Sequence, residues 1–185
     1  MKSFFKEAVN SIQTSGTISP SSKFLIKNCL KGLKLNKANV VLEFGPGNGC
    51  ITEALIKKIG KNTQLYSFEI NSKFHNFCTN KFSEYENIHV LKESALEFKK
   101  ILMSENITEV DYIISSLPLS FFKNHEISSL FQEISTFLTP DGRFVQYQYS
   151  FGKYPLLKQV FDKVDINFTL FNIPPAFTYR CHPAK

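Results

Sequence analysis

The hydrophobic positions of this 185-residue chain change period along its length. From residue 38 onward, apolar runs such as NVVLEF and VDYIISSL alternate with amphipathic stretches such as CITEALIKKIG and HEISSLFQEISTFL. Continuous apolar runs are typical of buried parallel strands, and a 3.6-residue period is typical of helices that pack against them. The pattern therefore predicts an α/β fold, with a mostly parallel sheet covered by helices on both faces.

The two ends of the chain depart from this alternation. Near the C-terminus, DINFTLFNI and AFTYRC follow each other without a helical pattern between them, which predicts a final antiparallel pair of strands. Near the N-terminus, MKSFFKEAVNSI places Phe4, Phe5 and other apolar residues on one helical stripe. A second helix is expected to begin at Ser21 or Ser22. Its lysines recur on one side, which leaves four apolar residues to pack elsewhere: Phe24, Ile26, Leu30 and Leu33.

Composition predicts one domain over residues 1–185. With 43% hydrophobic residues the chain can bury a proper core, and no apolar stretch approaches the roughly 20 residues of a membrane span. The N-terminus lacks the apolar centre of a secretory signal. The four cysteines are scattered, without a C-x-x-C pair, which indicates a reduced cytoplasmic protein with neither a disulfide framework nor a metal site.

The excess positive charge is confined to the beginning of the chain. Residues 1–37 carry seven lysines and one acid, Glu7, which accounts for the whole net charge of +6. We therefore divide the domain into a basic, amphipathic helical segment over 1–37 and an α/β core over 38–185. The basic segment suits an anionic partner, either a lipid surface or nucleic acid. The alternative is a solvated lysine face that keeps the protein soluble.

A glycine ladder follows the first strand of the core and opens a helix. The stretch is Glu43-x-Gly45-x-Gly47-x-Gly49. Glycine lets a ligand approach the backbone without a Cβ atom in the way. The spacing differs from the G-x-G-x-x-G of dinucleotide sites, and no Lys-Ser/Thr follows to make a phosphate loop. The alternative is a simple glycine-rich turn in which Glu43 caps backbone amides.

An acid followed by G-x-G-x-G resembles motif I of the class I S-adenosylmethionine-dependent methyltransferases. The resemblance implies a Rossmann-like core and S-adenosyl-L-methionine as cofactor. Glu69 ends the second strand, where an acid accepts hydrogen bonds from ribose hydroxyls in Rossmann-like sites. Ser94 stands where this class often has an acid before alanine at the adenine, and Glu93 is a substitute for it. The expected cofactor contacts are Glu43, Gly45, Pro46, Gly47, Gly49, Glu69, Ile70, Ser94, Ala95 and Ser116.

Three further stretches, SGTISPSSKFL, SSLPL and NIPPAFTYR, extend the resemblance over nearly the whole chain. Together they resemble the bacterial phospholipid N-methyltransferases, which are related to the ribosomal RNA adenine N6-dimethyltransferases. The resemblance implies methylation of the amine of phosphatidylethanolamine-type lipids. The adenine enzymes carry N-L-P-Y/F after strand four, with an amide and a ring that grip a planar amine, whereas this chain has Ser116-Leu117-Pro118-Leu119.

The sequence also weighs against nucleic acid as a partner. It contains only two arginines, and the adenine enzymes usually add a helical C-terminal domain for which this chain ends too soon. The expected partners are a phospholipid substrate and an anionic membrane surface, with the protein at the inner face of the membrane. The oligomeric state is left open. Three alternatives also remain: an rRNA adenine N6-methyltransferase-like enzyme, a module that binds the cofactor without catalysis, and a small-molecule or protein N-methyltransferase.

The substrate side of the site is expected around the loop after strand four and the C-terminal strands. Leu117, Pro118 and Leu119 are the predicted substrate contacts, and Arg180 could pair with the lipid phosphate. Since the attacking amine must be neutral, a group must orient it or take up its proton, and no obvious base is present. The candidates are Tyr147, Tyr149 and Tyr179, for which half-buried strand aromatics are the alternative. The four histidines are spread out and are interpreted as structural or exposed.

Overall fold

The computed structural model describes residues 22–184, and within them the chain forms one seven-stranded sheet. The strand order is β3-β2-β1-β4-β5-β7-β6. β1 to β5 are parallel, and β7 runs antiparallel to both β5 and β6, which confirms the predicted α/β sheet with its antiparallel C-terminal pair. The strands are β1 Val40–Phe44, β2 Gln64–Phe68, β3 Ile88–Leu91, β4 Val110–Ser115, β5 Leu138–Gln148, β6 Lys163–Thr169 and β7 Ala176–His182.

Helices cover both faces of the sheet. They are α1 Lys23–Leu30, α2 Cys50–Ile56, α3 Ser72–Lys81, α4 Phe98–Ser104, α5 Asn124–Phe137 and α6 Tyr154–Val160. Two separate cores result: α1, α2 and α3 pack on one face, and α4, α5 and α6 on the other. None of the helices within residues 22–184 is both long and apolar enough to cross a membrane.

α1 begins where the sequence predicts, but its buried face differs from the expected one. The Ser22 hydroxyl accepts a hydrogen bond from the Leu25 amide at 3.2 Å, as an N-cap residue does. Leu25 and Cys29 point into the core, whereas Phe24 is 59% exposed. Of the four apolar residues expected to pack away from the lysines, Ile26, Leu30 and Leu33 contact the core, whereas Phe24 lies outside it because the helix turns its i, i+4 pair toward the sheet. The predicted helix that contains Phe4 and Phe5 lies outside the described residues.

The strand order places the glycine ladder at the topological switch point of the sheet. The chain moves outward from β1 through β2 to β3, and then crosses back to β4 on the other side of β1. The carboxyl ends of β1, β2 and β4 therefore meet at one edge, where ligands bind in open α/β sheets. Because β7 is antiparallel, its first residue, Ala176, lies at this same edge, beside the end of β6 at Thr169.

Candidate active site

The three glycines of the ladder have different surroundings. All three adopt positive φ angles, of 77° at Gly45, 54° at Gly47 and 76° at Gly49. A Cβ atom on Gly45 would lie 2.8 Å from the Ser116 hydroxyl, and one on Gly49 would lie 2.9 Å from the Phe82 ring. A Cβ on Gly47 would meet nothing within 4 Å. Two of the glycines thus allow neighbouring elements to pack closely, and Gly47 leaves open space that a ligand can fill.

Glu69 lies directly after β2 and is tied to the ladder. Its Oε2 accepts a hydrogen bond from the Gly47 amide at 3.1 Å, and its Oε1 accepts one from the Asn71 amide at 2.8 Å. Burial raises the pKa of Glu69, against the opposing effect of these hydrogen bonds. Each carboxylate oxygen can accept a second hydrogen bond, so the group retains capacity for the hydroxyls of a ribose.

Glu43 is a buried acid on β1 with one unsatisfied oxygen. Its Oε2 accepts hydrogen bonds from the hydroxyls of Thr52 at 2.7 Å and Ser67 at 2.8 Å. Its Oε1 has no hydrogen-bond partner among residues 22–184. Burial raises the pKa of Glu43 to about 7. An orphaned carboxylate oxygen two residues before the ladder fits a cationic ligand, which S-adenosylmethionine is.

The remaining cofactor candidates lie along the ends of β2 and β3. Phe68 pairs with Leu91 in parallel register, so Ile70 and the residues after β3 occupy the same edge as Glu69. The Ser94 hydroxyl accepts a hydrogen bond from the Leu96 amide at 3.2 Å and begins a short 3-10 helix, Ala95–Glu97. Ala95 is buried beneath this turn. The turn can border an adenine, but that role stays a prediction, as does the substitute role of the exposed Glu93.

Ser116 fastens the loop after β4 to the ladder. Its hydroxyl donates to the carbonyl of Phe44 at 3.2 Å and also to that of Gly45. Leu117 and Leu119 are 7% and 1% exposed and belong to the core, whereas Pro118 is half-buried. The predicted substrate contact of Leu117, Pro118 and Leu119 stays a prediction, and the burial of the two leucine side chains leaves the half-buried Pro118 as the most accessible of the three.

Two glutamines that the sequence analysis missed hold the same loop from β5. The carbonyl of Leu117 accepts hydrogen bonds from the side-chain amides of Gln146 at 3.1 Å and Gln148 at 2.7 Å. A carbonyl oxygen has two lone pairs, so this one is saturated. The signal in the sequence is Q-Y-Q within an apolar strand, since residues at i and i+2 face the same side of a sheet. The Gln146 Oε1 has no partner in the described part of the chain.

The three candidate tyrosines do not form one cluster. Tyr147 lies in the last two residues of β5, and Tyr149 directly follows the strand. Their ring centroids are 6.0 Å apart, and Tyr149 is 49% exposed. Tyr179 belongs to the core on the opposite face of the sheet and is 1% exposed. Its hydroxyl donates to the Ser150 carbonyl at 3.2 Å, and burial raises its pKa to about 12. The expectation that Tyr179 takes part in catalysis therefore disagrees with its placement.

Arg180 lies away from the edge of the sheet where the carboxyl ends of β1, β2 and β4 meet, which we call the ligand edge. It pairs with Val145 in β5, three residues before the strand end at Gln148, or about 10 Å inward. Its Nη2 donates to the Asn28 carbonyl of α1 at 3.1 Å. The predicted contact of Arg180 with a lipid phosphate is not supported by this position, because the guanidinium instead holds α1 against the sheet.

Three histidines of the described residues have partners away from the glycine loop, although His75 lies near enough to Glu69 to lower its pKa against burial. His182 lies 3.0 Å from Asp165, His89 lies 2.8 Å from Gln64, and His75 faces the Val90 carbonyl. Residues 22–184 contain no group of His, Cys, Asp or Glu side chains that could hold a metal ion. The site thus offers acids, backbone amides and hydroxyls around the glycine loop.

The sheet order, the ladder at the switch point and the acid after β2 define a class I methyltransferase, an enzyme that depends on S-adenosylmethionine. The chain belongs to the ribosomal RNA adenine dimethylase family, whose model matches residues 21–133. Solved structures with the same fold include the N-methyltransferase NodS from Bradyrhizobium japonicum, with a TM-score of 0.70 and 13% identity over 86% of this chain and 94% of that one. An rRNA methylase from Streptococcus thermophilus has a TM-score of 0.64 and 19% identity, over 88% and 93% of the two chains.

Among relatives by sequence, an ornithine lipid N-methyltransferase from Singulisphaera acidiphila is 26% identical over 91% of this chain and 88% of its own length. Ribosomal RNA small subunit methyltransferase A from a Sulfurihydrogenibium species is 29% identical over 52% of this chain, which spans 36% of that enzyme. The resemblance to lipid N-methyltransferases related to rRNA adenine methylases is thus confirmed.

Proposed function

We propose that this protein transfers methyl groups to the primary amine of phosphatidylethanolamine-type phospholipids at a membrane surface. The observation that carries the proposal is the geometry of the loop after β4. The Ser116 hydroxyl directs its one hydrogen to backbone carbonyls, and the Leu119 side chain is buried. The Leu117 carbonyl is saturated by two glutamine amides.

This loop is poorly suited to a nucleobase. At the positions where the adenine enzymes carry an amide and a ring, the tetrapeptide Ser116-Leu117-Pro118-Leu119 has neither, and the next ring in the loop is that of Phe121, two residues further on and 47% exposed. An aliphatic amine needs no such platform, because it rotates freely and has no π-face. The loop therefore favours a small, flexible amine over adenine.

The extent of sequence similarity supports the same choice. The similarity to the ornithine lipid enzyme covers 91% of the chain, which takes in most of both the ladder half and the C-terminal half of the fold. The similarity to the rRNA enzyme from Sulfurihydrogenibium covers about half of the chain. The relative from Singulisphaera makes the amine of an ornithine lipid the second candidate acceptor.

We assign the roles of the site residues as follows. S-adenosylmethionine, when bound, supplies an electrophilic methyl group on a cationic sulfur. Glu43 and the open side of Gly47 would border its charged methionine portion, and Glu69 would accept hydrogen bonds from its ribose. Ile70, Ser94 and Ala95 would border the adenine.

The acceptor amine must lose a proton before it can attack. Tyr149 is half-exposed at the ligand edge, and burial raises its pKa, so the phenol stays protonated near neutral pH. It is suited to orient the amine by hydrogen bonding, together with Tyr147, and not to act as a strong base. The proton would pass to water before the amine is desolvated, and positioning would supply most of the rate.

The test is a parallel comparison of acceptors with cofactor that is tritiated in its methyl group. Full-length protein would be incubated separately with phosphatidylethanolamine vesicles, ornithine-lipid vesicles and unmodified small-subunit ribosomal RNA. We expect label in the lipid phase, with phosphatidylethanolamine as the better acceptor. Preference for ornithine lipid would move the assignment to the second candidate, and label in RNA alone would contradict a lipid acceptor.

A further inference from the structure

Four apolar side chains stand out from the protein surface at the ligand edge. Three belong to the connection between β6 and β7: Leu170, Phe171 and Ile173 are 62%, 72% and 84% exposed. The fourth, Phe24 of α1, is 59% exposed, and its ring lies 5.5 Å from that of Phe171. We call these four residues the apolar rim. Clustered exposed apolar side chains mark interaction sites, whereas single ones need no explanation.

The connection that carries the rim is held in place by a buried residue in its centre. Asn172 is 3% exposed, and its Oδ1 accepts a hydrogen bond from the Ser22 amide at 3.0 Å. Its Nδ2 donates to the Pro174 carbonyl at 2.7 Å. The polar side chain therefore points inward while its neighbours on both sides point outward. These hydrogen bonds hold the backbone of the connection in place, and Phe171 and Ile173 project from it into solvent.

The rim lies beside the edge where methyl transfer is proposed. β7 pairs with both β5 and β6, so the connection after Thr169 stands next to the end of β5. Tyr149 follows that strand end directly, and the neighbouring Asn172 side chain lowers the pKa of its phenol against the larger effect of burial. A surface that contacted the rim would thus face the residues proposed to orient the amine.

The segments that form the rim carry basic residues and no acidic ones. Residues 22–42 and 166–184, which include α1 and the rim connection, contain no aspartate or glutamate. Lys23 and Lys27 are exposed on α1, and the Asn28 side chain ties this helix to Thr169 with a hydrogen bond of 2.7 Å. Apolar side chains flanked by lysines match the interface of a bilayer that contains anionic lipid.

We propose that the apolar rim inserts into the interfacial layer of an anionic bilayer and presents the ligand edge to lipid headgroups. This inference rests on the proposed function, and it assigns the membrane contact to the β6–β7 connection in addition to the basic N-terminal segment. Each large apolar side chain that enters the interface is expected to strengthen vesicle binding by roughly tenfold.

Tryptophan fluorescence tests the insertion directly, because the chain contains no tryptophan. Phe171→Trp places a single reporter on the rim. The matched control is Met103→Trp, because the Met103 side chain is 58% exposed near the end of α4, and the chain enters β4 at the edge of the sheet opposite the ligand edge. With vesicles of phosphatidylcholine and phosphatidylglycerol, we expect the emission of Trp at 171 to shift to the blue and to be quenched by brominated acyl chains. The control reporter should not change. Equal behaviour of the two reporters would overturn the proposal.

Vesicle binding and turnover then separate this proposal from the proposed function. Phe171→Ser/Ile173→Ser is expected to lower vesicle binding about a hundredfold, whereas Tyr85→Ser/Met103→Ser, on the opposite edge, should bind as the unchanged chain does. The rim variant should lose turnover on bilayers and keep it on monomeric short-chain phosphatidylethanolamine. Insertion without methylation of any lipid would contradict the proposed function alone. Equal turnover of the rim variant on bilayers would contradict the rim proposal alone.

Two other occupants of the rim give distinct results. If the rim joins two copies of the chain, Phe171→Ser/Ile173→Ser would convert a dimer to a monomer in analytical ultracentrifugation, without vesicles. If residues 1–21 cover it, Trp at 171 would be shielded from an aqueous quencher in the full chain and become accessible on their removal. Either result would overturn the proposal.

Discussion

The backbone amide of Gly47 donates a hydrogen bond to Oε2 of Glu69 over 3.1 Å. This contact joins the loop after β1 to the acid after β2, although the two residues are 22 positions apart in the chain. Gly47 remains open on the side where a Cβ atom would stand. The loop and the acid therefore form one unit, and a change in either is expected to affect the binding of the cofactor.

Replacing Glu69 should weaken the cofactor site. Glu69→Gln removes the charged acceptor proposed for the ribose, and a hydrogen bond to a charged group contributes about 1.5–3 kcal/mol. We expect calorimetry to show S-adenosylmethionine affinity reduced by roughly tenfold to a hundredfold. Glu86→Gln, an exposed acid before β3, is the control and should leave affinity unchanged. Equal affinities for the two variants would remove Glu69 from the site.

Cofactor affinity should depend on pH through Glu43. Burial raises the pKa of this carboxyl from 4.5 to about 7, so the free protein binds its proton below that pH. A cationic ligand favours the carboxylate, and binding below pH 7 must therefore release the proton. We expect affinity to fall by up to about tenfold per pH unit below 7 and to level off above it.

The matched variant for this pH effect is Glu43→Gln, which keeps the side-chain shape but does not titrate. Its affinity should be lower at pH 8 and should change little with pH. Glu69 also has a raised pKa, so a small residual slope is expected. A slope in Glu43→Gln as steep as that of the unchanged protein would show that Glu43 is not the responsible group.

Two glycines of the ladder should respond differently to alanine. Gly49→Ala would place a Cβ 2.9 Å from the Phe82 ring at a φ of 76°, and we expect the free energy of unfolding to drop by about 2–4 kcal/mol. Gly47→Ala meets no neighbour, so only the positive φ is strained, at about 1–2 kcal/mol. Its methyl group would instead enter the open space and weaken cofactor binding. Urea denaturation and calorimetry on both variants would distinguish them, and identical profiles would contradict the division of roles.

The N-terminal segment should contribute electrostatically to membrane binding. Each lysine near an anionic bilayer contributes about 1 kcal/mol, and salt screens this attraction. We expect co-sedimentation with anionic vesicles to exceed that with neutral ones and to fall as salt rises. Deleting residues 1–13 should reduce it while cofactor affinity stays nearly intact, because the ladder lies far along the chain. Undiminished co-sedimentation of the truncated protein would leave the segment without a docking role.

Local pattern was enough to predict the sheet, its antiparallel end and the location of the ladder. These features depend on hydrophobic period and on glycine spacing, which are properties of neighbouring residues. The same holds for Ser22, whose capping role depends on its position just before an apolar helical stretch.

The partners of the site residues could not be predicted, because they depend on contacts between distant elements. Glu43 receives hydrogen bonds from Thr52 and Ser67, on a helix and a strand that the sequence does not connect to it. The side of the sheet on which a side chain lies could not be predicted either. Tyr147 and Tyr179 look equivalent in sequence, yet their rings lie on opposite sides of the sheet.

The identity of the methylated product is the most direct test of the central claim. Full-length protein would be incubated with S-adenosylmethionine and vesicles of phosphatidylethanolamine and phosphatidylglycerol, with Glu69→Gln as a parallel sample. Mass spectrometry of the extracted lipids should show phosphatidylethanolamine heavier by one CH2 per methyl transferred, with the added mass on the headgroup fragment and a weaker signal from the variant. An unmodified headgroup, together with methylated adenine in ribosomal RNA under the same conditions, would contradict the account.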